Sequence, residues 1–118
     1  MGDQIFNWND EFIPYYGELP NFKNMKTGIE LIKEERQKQI DKHGFTAEHH
    51  VNHPEWYESD QLSRAAASIL MPNKISLAPD NWDMVWFRNL KGREKKERLV
   101  IAGALIAAEL DRLELLEK

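Results

Sequence analysis

Apolar residues recur at helical spacing in three stretches of the chain, and nowhere do they alternate long enough at a two-residue period to support a sheet. The pattern predicts an all-α fold. The first helix starts at Thr27, which stands three residues before Glu30 in the spacing of a capping box, and stops near His43 with Gly44 as its C-terminal signal. At about 100° per residue, Ile29, Ile32 and Ile40 share one stripe with Arg36 and His43. Residues 44–58 read as a loop or short turns. Ser59 or Asp60 then caps a second helix whose buried stripe is Leu62, Ala65, Ala66, Ile69 and Leu70, stopped by Pro72. Pro79, Asp80 and Asn81 open a short helix carrying Trp82 and Trp86, four residues apart. The last helix runs from about Arg93 nearly to Lys118. Its middle, Leu99 to Ala108, is apolar all round, which predicts a central helix surrounded by others. Gly103 lies inside it at a cost of about 1 kcal/mol against alanine, so a close backbone contact is expected there.

Together these elements predict a small bundle of three main helices plus a short one, forming a single helical domain over residues 26–118. Residues 1–25 break the pattern. They carry Phe6, Trp8, Phe12, Tyr15, Tyr16 and Phe22 between Pro14, Gly17 and Pro20, an irregular aromatic arm too apolar in composition for a disordered tail. Two roles are open to it: packing over its own helices, or clasping a neighbouring subunit.

Composition sharpens this picture. A domain of 118 residues exposes a large share of its surface, which favours a homo-oligomer. The formal charge of −4 argues against broad binding of nucleic acid or of an anionic membrane. With no cysteine in the chain, disulfides, thiolate nucleophiles and zinc fingers are excluded, so a metal would have only His, Asp and Glu to use. The start lacks a signal peptide's basic and apolar regions, and no apolar run reaches the roughly 18 residues of a membrane span, so a cytosolic location is expected.

Arg36 is the most informative residue, because a guanidinium on an apolar stripe needs a carboxylate or an anionic ligand to meet it. Glu109, on the last helix between Leu105, Leu113 and Leu116, is the expected internal partner. The four histidines, His43, His49, His50 and His53, fall within eleven residues. His49 and His53 have the i, i+4 spacing of a shared metal on a helix, but no third ligand is defined, and no metal or other cofactor is assigned. Neutral histidines also donate hydrogen bonds to phosphate or ribose. Phe45, Trp56, Tyr57, Trp82 and Trp86 lie off the apolar stripes, where they can stack on a flat base or seal the ends of the core. No Gly-rich phosphate loop, Gly-x-Ser-x-Gly elbow or His-Glu-x-x-His helix is present.

Three resemblances add to this reading. Glu35-Arg36, Gln39-Ile40, Gly44-Phe45-Thr46, Glu48-His49, Leu62, Ala65-Ala66, Trp82-Asp83, Trp86, Ala102 to Ile106, Ala108-Glu109 and Arg112 together resemble a family of small bacteriophage and prophage proteins. The likeness spans residues 27–113, and it implies a location in the bacterial host cytosol. Where that family reads Glu-His-Asp-Asp, His50 and Val51 stand here, a departure that weighs against a metal role for the loop. Over residues 36–64, Arg36, Gly44-Phe45, His53-Pro54, Tyr57 and Leu62 are similar to the RyR domain, with a shorter spacing between Gly44 and His53. That similarity implies a small helical ligand-binding module rather than an enzyme. All-α nucleoside triphosphate pyrophosphohydrolases of the MazG type carry E-x-x-E and E-x-x-D magnesium sites, which Glu30, Glu34 and Glu35 with Glu109 and Asp111 approximate.

The expectation is a module that binds and sequesters a small anionic ligand, a nucleotide or nucleotide-derived signal. Arg36 and Gln39, His49 and His53, and Trp82 or Trp86 are expected to hold phosphate, ribose and base respectively. The alternatives are a metal-dependent nucleotide hydrolase using Glu35, Glu48 and Glu109, and a protein-binding factor acting through the aromatic arm.

Overall fold

The computed structural model describes residues 25–74, 77, 79 and 81–118, so the expected aromatic arm lies, apart from Met25, outside the described residues. The fold is all-α, with no strand among those residues. Three longer helices, α1 (Gly28–His43), α4 (Gln61–Leu70) and α6 (Lys95–Leu116), are joined by three shorter ones, α2 (Ala47–Asn52), α3 (Pro54–Tyr57) and α5 (Met84–Lys91). No helix of the described residues is long and apolar enough to cross a membrane.

Both ends of α1 are set by local chemistry. Thr27 Oγ1 accepts from Glu30 N at 3.1 Å while Glu30 Oε1 accepts from Thr27 N at 2.7 Å, which satisfies two otherwise orphaned donors. Gly44 closes the helix in the left-handed region at φ 67°, a conformation that any residue with a Cβ would strain to adopt. The segment read from sequence as a loop begins there, and much of it is helical. Thr46 Oγ1 accepts from His49 N at 3.1 Å and starts α2, and Pro54 occupies the first turn of α3. Helices of six and four residues are too short to show a periodic stripe.

Neither expected cap of α4 acts through its side chain. Asp60 is itself left-handed at φ 65° and makes no capping hydrogen bond, whereas Gln61 Oε1 accepts from Ser59 N at 2.7 Å. At the other end, the Arg98 guanidinium donates to the carbonyls of Ile69 and Leu70 at 3.1 and 3.2 Å, placing a cation where the helix dipole is negative. The short tryptophan helix begins later than expected, because Asp83 Oδ1 accepts from Val85 N and Trp86 N at 2.9 and 3.1 Å. Trp82 therefore precedes α5 and does not lie on it. Its indole Nε1 donates to Trp56 O at 3.1 Å, and Asn81 Nδ2 donates to Glu55 O, so two hydrogen bonds fasten this connection to α3.

The core forms where α4 and α1 pack on α6. Leu62, Ala65, Ala66 and Ile69 of α4 meet Ile101, Ala102, Leu105 and Ala108 of α6, with Phe87, Leu90 and Tyr57 closing the cluster. Each large side chain so buried contributes about 1.5–3 kcal/mol. The alanines bring the backbones close enough for this to happen. Gly103 serves the same purpose against α1: a Cβ there would stand 2.6 Å from Ile32 Cδ1. The expectation that α6 is surrounded on all sides is not met. Its partners cover the face of Ala102, Leu105 and Ala108, and Leu99, Ile106, Leu110 and Leu113 stay exposed.

Candidate ligand-binding site

Arg36 projects from α1 into the fold and is buried, as its place on the stripe predicts, but its partner is not Glu109. Its Nε donates to Asp111 Oδ2 at 3.1 Å, with Nη2 3.0 Å from the same oxygen in an ion pair, and Nη1 donates to the Phe45 carbonyl at 2.8 Å. Glu109 instead takes Arg112 in a two-pronged bridge of 2.8 and 2.7 Å, one helical turn along. The reason lies in the helix: residues two apart diverge by about 200°, so Asp111 leans toward α1 while Glu109 and Arg112, three apart, share a face. Hydrogen bonding to Glu109 holds the Arg112 guanidinium pKa above its usual range, against the opposing effect of burial. Arg36 is thus a positioning residue. It ties α1 to α6 and fixes the carbonyl of Phe45 at the edge of the aromatic cluster.

That cluster is a continuous set of ring contacts. His50 is fully buried, with its ring centroid 4.2 Å from Tyr57 and 5.5 Å from Phe45. His49 and His53 approach to 4.6 Å, and His53 stacks on Trp56 at 4.5 Å with 11° between the planes. Trp86 meets Phe45 edge-on at 6.0 Å, His43 at 5.9 Å and Trp82 at 6.1 Å. Tyr57 Oη lies 3.3 Å from His49 Nε2, and His53 Nδ1 lies 3.2 Å from Glu55 Oε2.

Burial sets the titration of this cluster. Loss of solvation, followed by the charges of Arg36, His49 and Arg112, pushes His50 down to about 3, so the ring is neutral at physiological pH. His49 is lowered by burial and then by His53. Burial pushes the Tyr57 hydroxyl up to about 12, with Glu55 adding to the effect. Three buried polar atoms have no hydrogen-bond partner among the described residues: Gln39 Oε1 and both ring nitrogens of His50. Each such atom costs about 1–3 kcal/mol of desolvation, so this end of the molecule is not optimised for packing alone.

Two cavities meet at Trp86. One, of about 200 Å³, is lined by Phe45, Trp56, Tyr57, Asn81, Trp82, Asp83 and Trp86. The other, of about 240 Å³, is bounded by Glu35, Lys38, Gln39, Lys42, His43 and Arg93 together with Trp86, Leu90, Ile101 and Leu105. The first is an aromatic slot below the roughly 300–1,000 Å³ of a pocket for a whole drug-sized ligand, and of a size for one flat ring. The second brings Lys38, Lys42 and Arg93 together with Glu35. Lys38 Nζ lies 4.0 Å from the Glu35 carboxylate and Arg93 is paired with Glu97 at 3.1 Å, which leaves Lys42, among the described residues, as the cation without an acidic neighbour in the cavity wall. A larger groove of about 470 Å³ runs between α1 and α6, but Glu34, Glu35 and Glu97 there balance Lys38, Arg93 and Lys96, so an anion gains little in it.

Among the residues expected from sequence, Trp82 and Trp86 line the aromatic slot and Gln39 lines the basic one. His49 and His53 stand beside Trp56 and line neither cavity. Sequence reading missed Lys38, Lys42 and Arg93 as a set, because they come from opposite ends of the chain and look like ordinary solvated charges. It named Asp111 and Arg112 but missed their pairing with Arg36 and Glu109; the i, i+3 spacing of Glu109 and Arg112 was the signal for the second. The carboxylates suggested for a MazG-type magnesium site do not converge: Glu109 is bound to Arg112 and Asp111 to Arg36. No three His, Asp or Glu residues are grouped to hold a metal ion among the described residues. Comparison with protein-family models, with curated proteins and with solved structures gives no match.

Proposed function

We propose that the protein is a binding module that sequesters a nucleotide or nucleotide-derived signal. The flat base enters the slot of Phe45, Trp56, Tyr57, Trp82 and Trp86, and the phosphate lies toward Lys38, Lys42, His43 and Arg93. The observation that carries this reading is the sharing of Trp86 between an aromatic cavity and a cation-lined one. A nucleotide has that same division, a π-surface at one end and a dense negative charge at the other. Aromatic stacking on a base contributes about 1–3 kcal/mol in nucleic-acid complexes, and lysine and arginine add charge-assisted hydrogen bonds to phosphate oxygens. Arg36 supports the slot from behind through Phe45.

The test is a thermal-shift screen of the purified chain with mononucleotides, cyclic nucleotides and ADP-ribose derivatives. A ligand at 100 times its Kd stabilises the fold by about 2.7 kcal/mol. The expected result is stabilisation by a nucleotide, without turnover, that Trp86→Ala and Lys42→Glu each remove. Stabilisation by inorganic phosphate equal to that by every nucleotide contradicts a base-binding slot.

A further inference from the structure

The exposed stripe on α6 lies apart from this site. Leu99, Ile106, Leu110 and Leu113 are 48%, 47%, 59% and 40% exposed, and none of them lines either cavity at Trp86. They repeat at intervals of seven, four and three residues along one side of the helix, beside Gly103, whose own face is taken by Ile32 of α1. At about 100° per residue the four fall within about 60° of one another. Such a seam on a monomer leaves apolar surface in water with nothing gained, so a covering surface is expected.

The charges at its two ends identify the cover. Lys95 and Lys96 flank the seam at the N-terminal end of α6, and Glu114 and Glu117 flank it at the C-terminal end. Ile106 is the midpoint: Lys95 and Glu117 each lie eleven residues from it, and Leu99 and Leu113 each lie seven. A second α6 running antiparallel about Ile106 therefore sets Ile106 against Ile106 at the centre, Leu99 against Leu113 on either side of it, and lysine against glutamate at both ends. A parallel arrangement stacks like charges at each end. The antiparallel one also opposes the two helix dipoles. A helix of 22 residues is about 33 Å long, enough for the seam to form the spine of a standard-sized interface.

We propose that α6 pairs antiparallel with α6 of a second copy of this chain, through Leu99, Ile106, Leu110 and Leu113, with Lys95 and Lys96 facing Glu114 and Glu117. Sedimentation equilibrium on the full chain tests it. The wild type is expected to dimerise. Ile106→Glu is expected to be monomeric, with unchanged helical circular dichroism because the position is exposed, and Leu110→Lys should behave alike. Reversing one end, Lys95→Glu with Lys96→Glu, weakens the dimer about tenfold, four rim charge pairs each contributing a few tenths of a kcal/mol. Adding Glu114→Lys and Glu117→Lys to the same chain restores it, which only an antiparallel pair allows. A wild type that stays monomeric, a dimer indifferent to Ile106→Glu, or a double reversal that fails to rescue overturns the proposal. The nucleotide screen is unaffected by any of these outcomes, since the seam and the cavities share no residue.

Discussion

The two ends of the polar and apolar spectrum occupy different regions of this molecule. Along the seam between α4 and α6, Leu62, Ala65, Ala66 and Ile69 meet Ala102, Leu105 and Ala108, and every one is buried with apolar atoms only. At the end built by the C-terminal half of α1, by α2 and α3 and by the start of α5, the buried residues include His50, Gln39 and Arg36, and rings of histidine, tyrosine and tryptophan touch one another. The first region gains stability from close packing and leaves nothing unsatisfied. The second carries orphaned polar atoms and open cavities, local departures from close packing of the kind the proposed binding site would use.

The comparison breaks most visibly at the two arginine pairs that border these regions. Glu109 and Arg112 are both nearly sealed, at 12% and 9% side-chain exposure, whereas Asp111 opposite Arg36 is 51% exposed. Removing one partner of a buried pair leaves an uncompensated charge and costs about 3–5 kcal/mol. Glu109→Ala is therefore expected to lower the denaturation midpoint severely. Asp111→Ala should cost less than half as much, because water reaches the vacated position and Arg36 keeps the Phe45 carbonyl.

A smaller effect comes from His50. Its folded value of about 3 lies below the ordinary 6.5, so the unfolded chain takes up a proton that the folded one refuses. Its contribution to stability is complete above about pH 6.5 and is lost progressively as the pH falls toward 3. Urea melts at a series of pH values should show this decline in the wild type and a flatter profile in His50→Leu. Near neutrality the leucine is expected to stabilise by about 1 kcal/mol, since it removes two unpaired nitrogens from the interior. A loss of stability on that substitution would mean that the imidazole has a partner.

The smallest effect sharpens the packed region. Gly103→Ala gains about 1 kcal/mol of helix propensity but drives a methyl into Ile32. In an Ile32→Ala background the clash is gone, so the same substitution should stabilise by about 1 kcal/mol. A double-mutant cycle measures the difference, and additivity of the two changes would show that the helices do not touch there.

Legibility followed the same division. The three long helices, the capping box at Thr27, the stop at Gly44 and the close contact at Gly103 were all readable, because each rests on local spacing or on one residue type with one physical use. The short helices of the histidine segment were not, since six and four residues hold too few turns to display a period. The partner of Arg36 escaped because the choice between Glu109 and Asp111 depends on how α6 is rotated against α1, which periodicity narrows but does not fix. The basic cavity escaped for a related reason: Lys38 and Lys42 meet Arg93 only through the packing of α1 on α6.

The most direct measurement is a calorimetric titration of the full chain with the nucleotide that gives the largest thermal shift, repeated with Trp86→Ala. Binding by the wild type and a loss of at least tenfold in the variant, with its helical content retained, is the predicted result. Equal affinity in the two proteins would contradict a base held in the slot at Trp86.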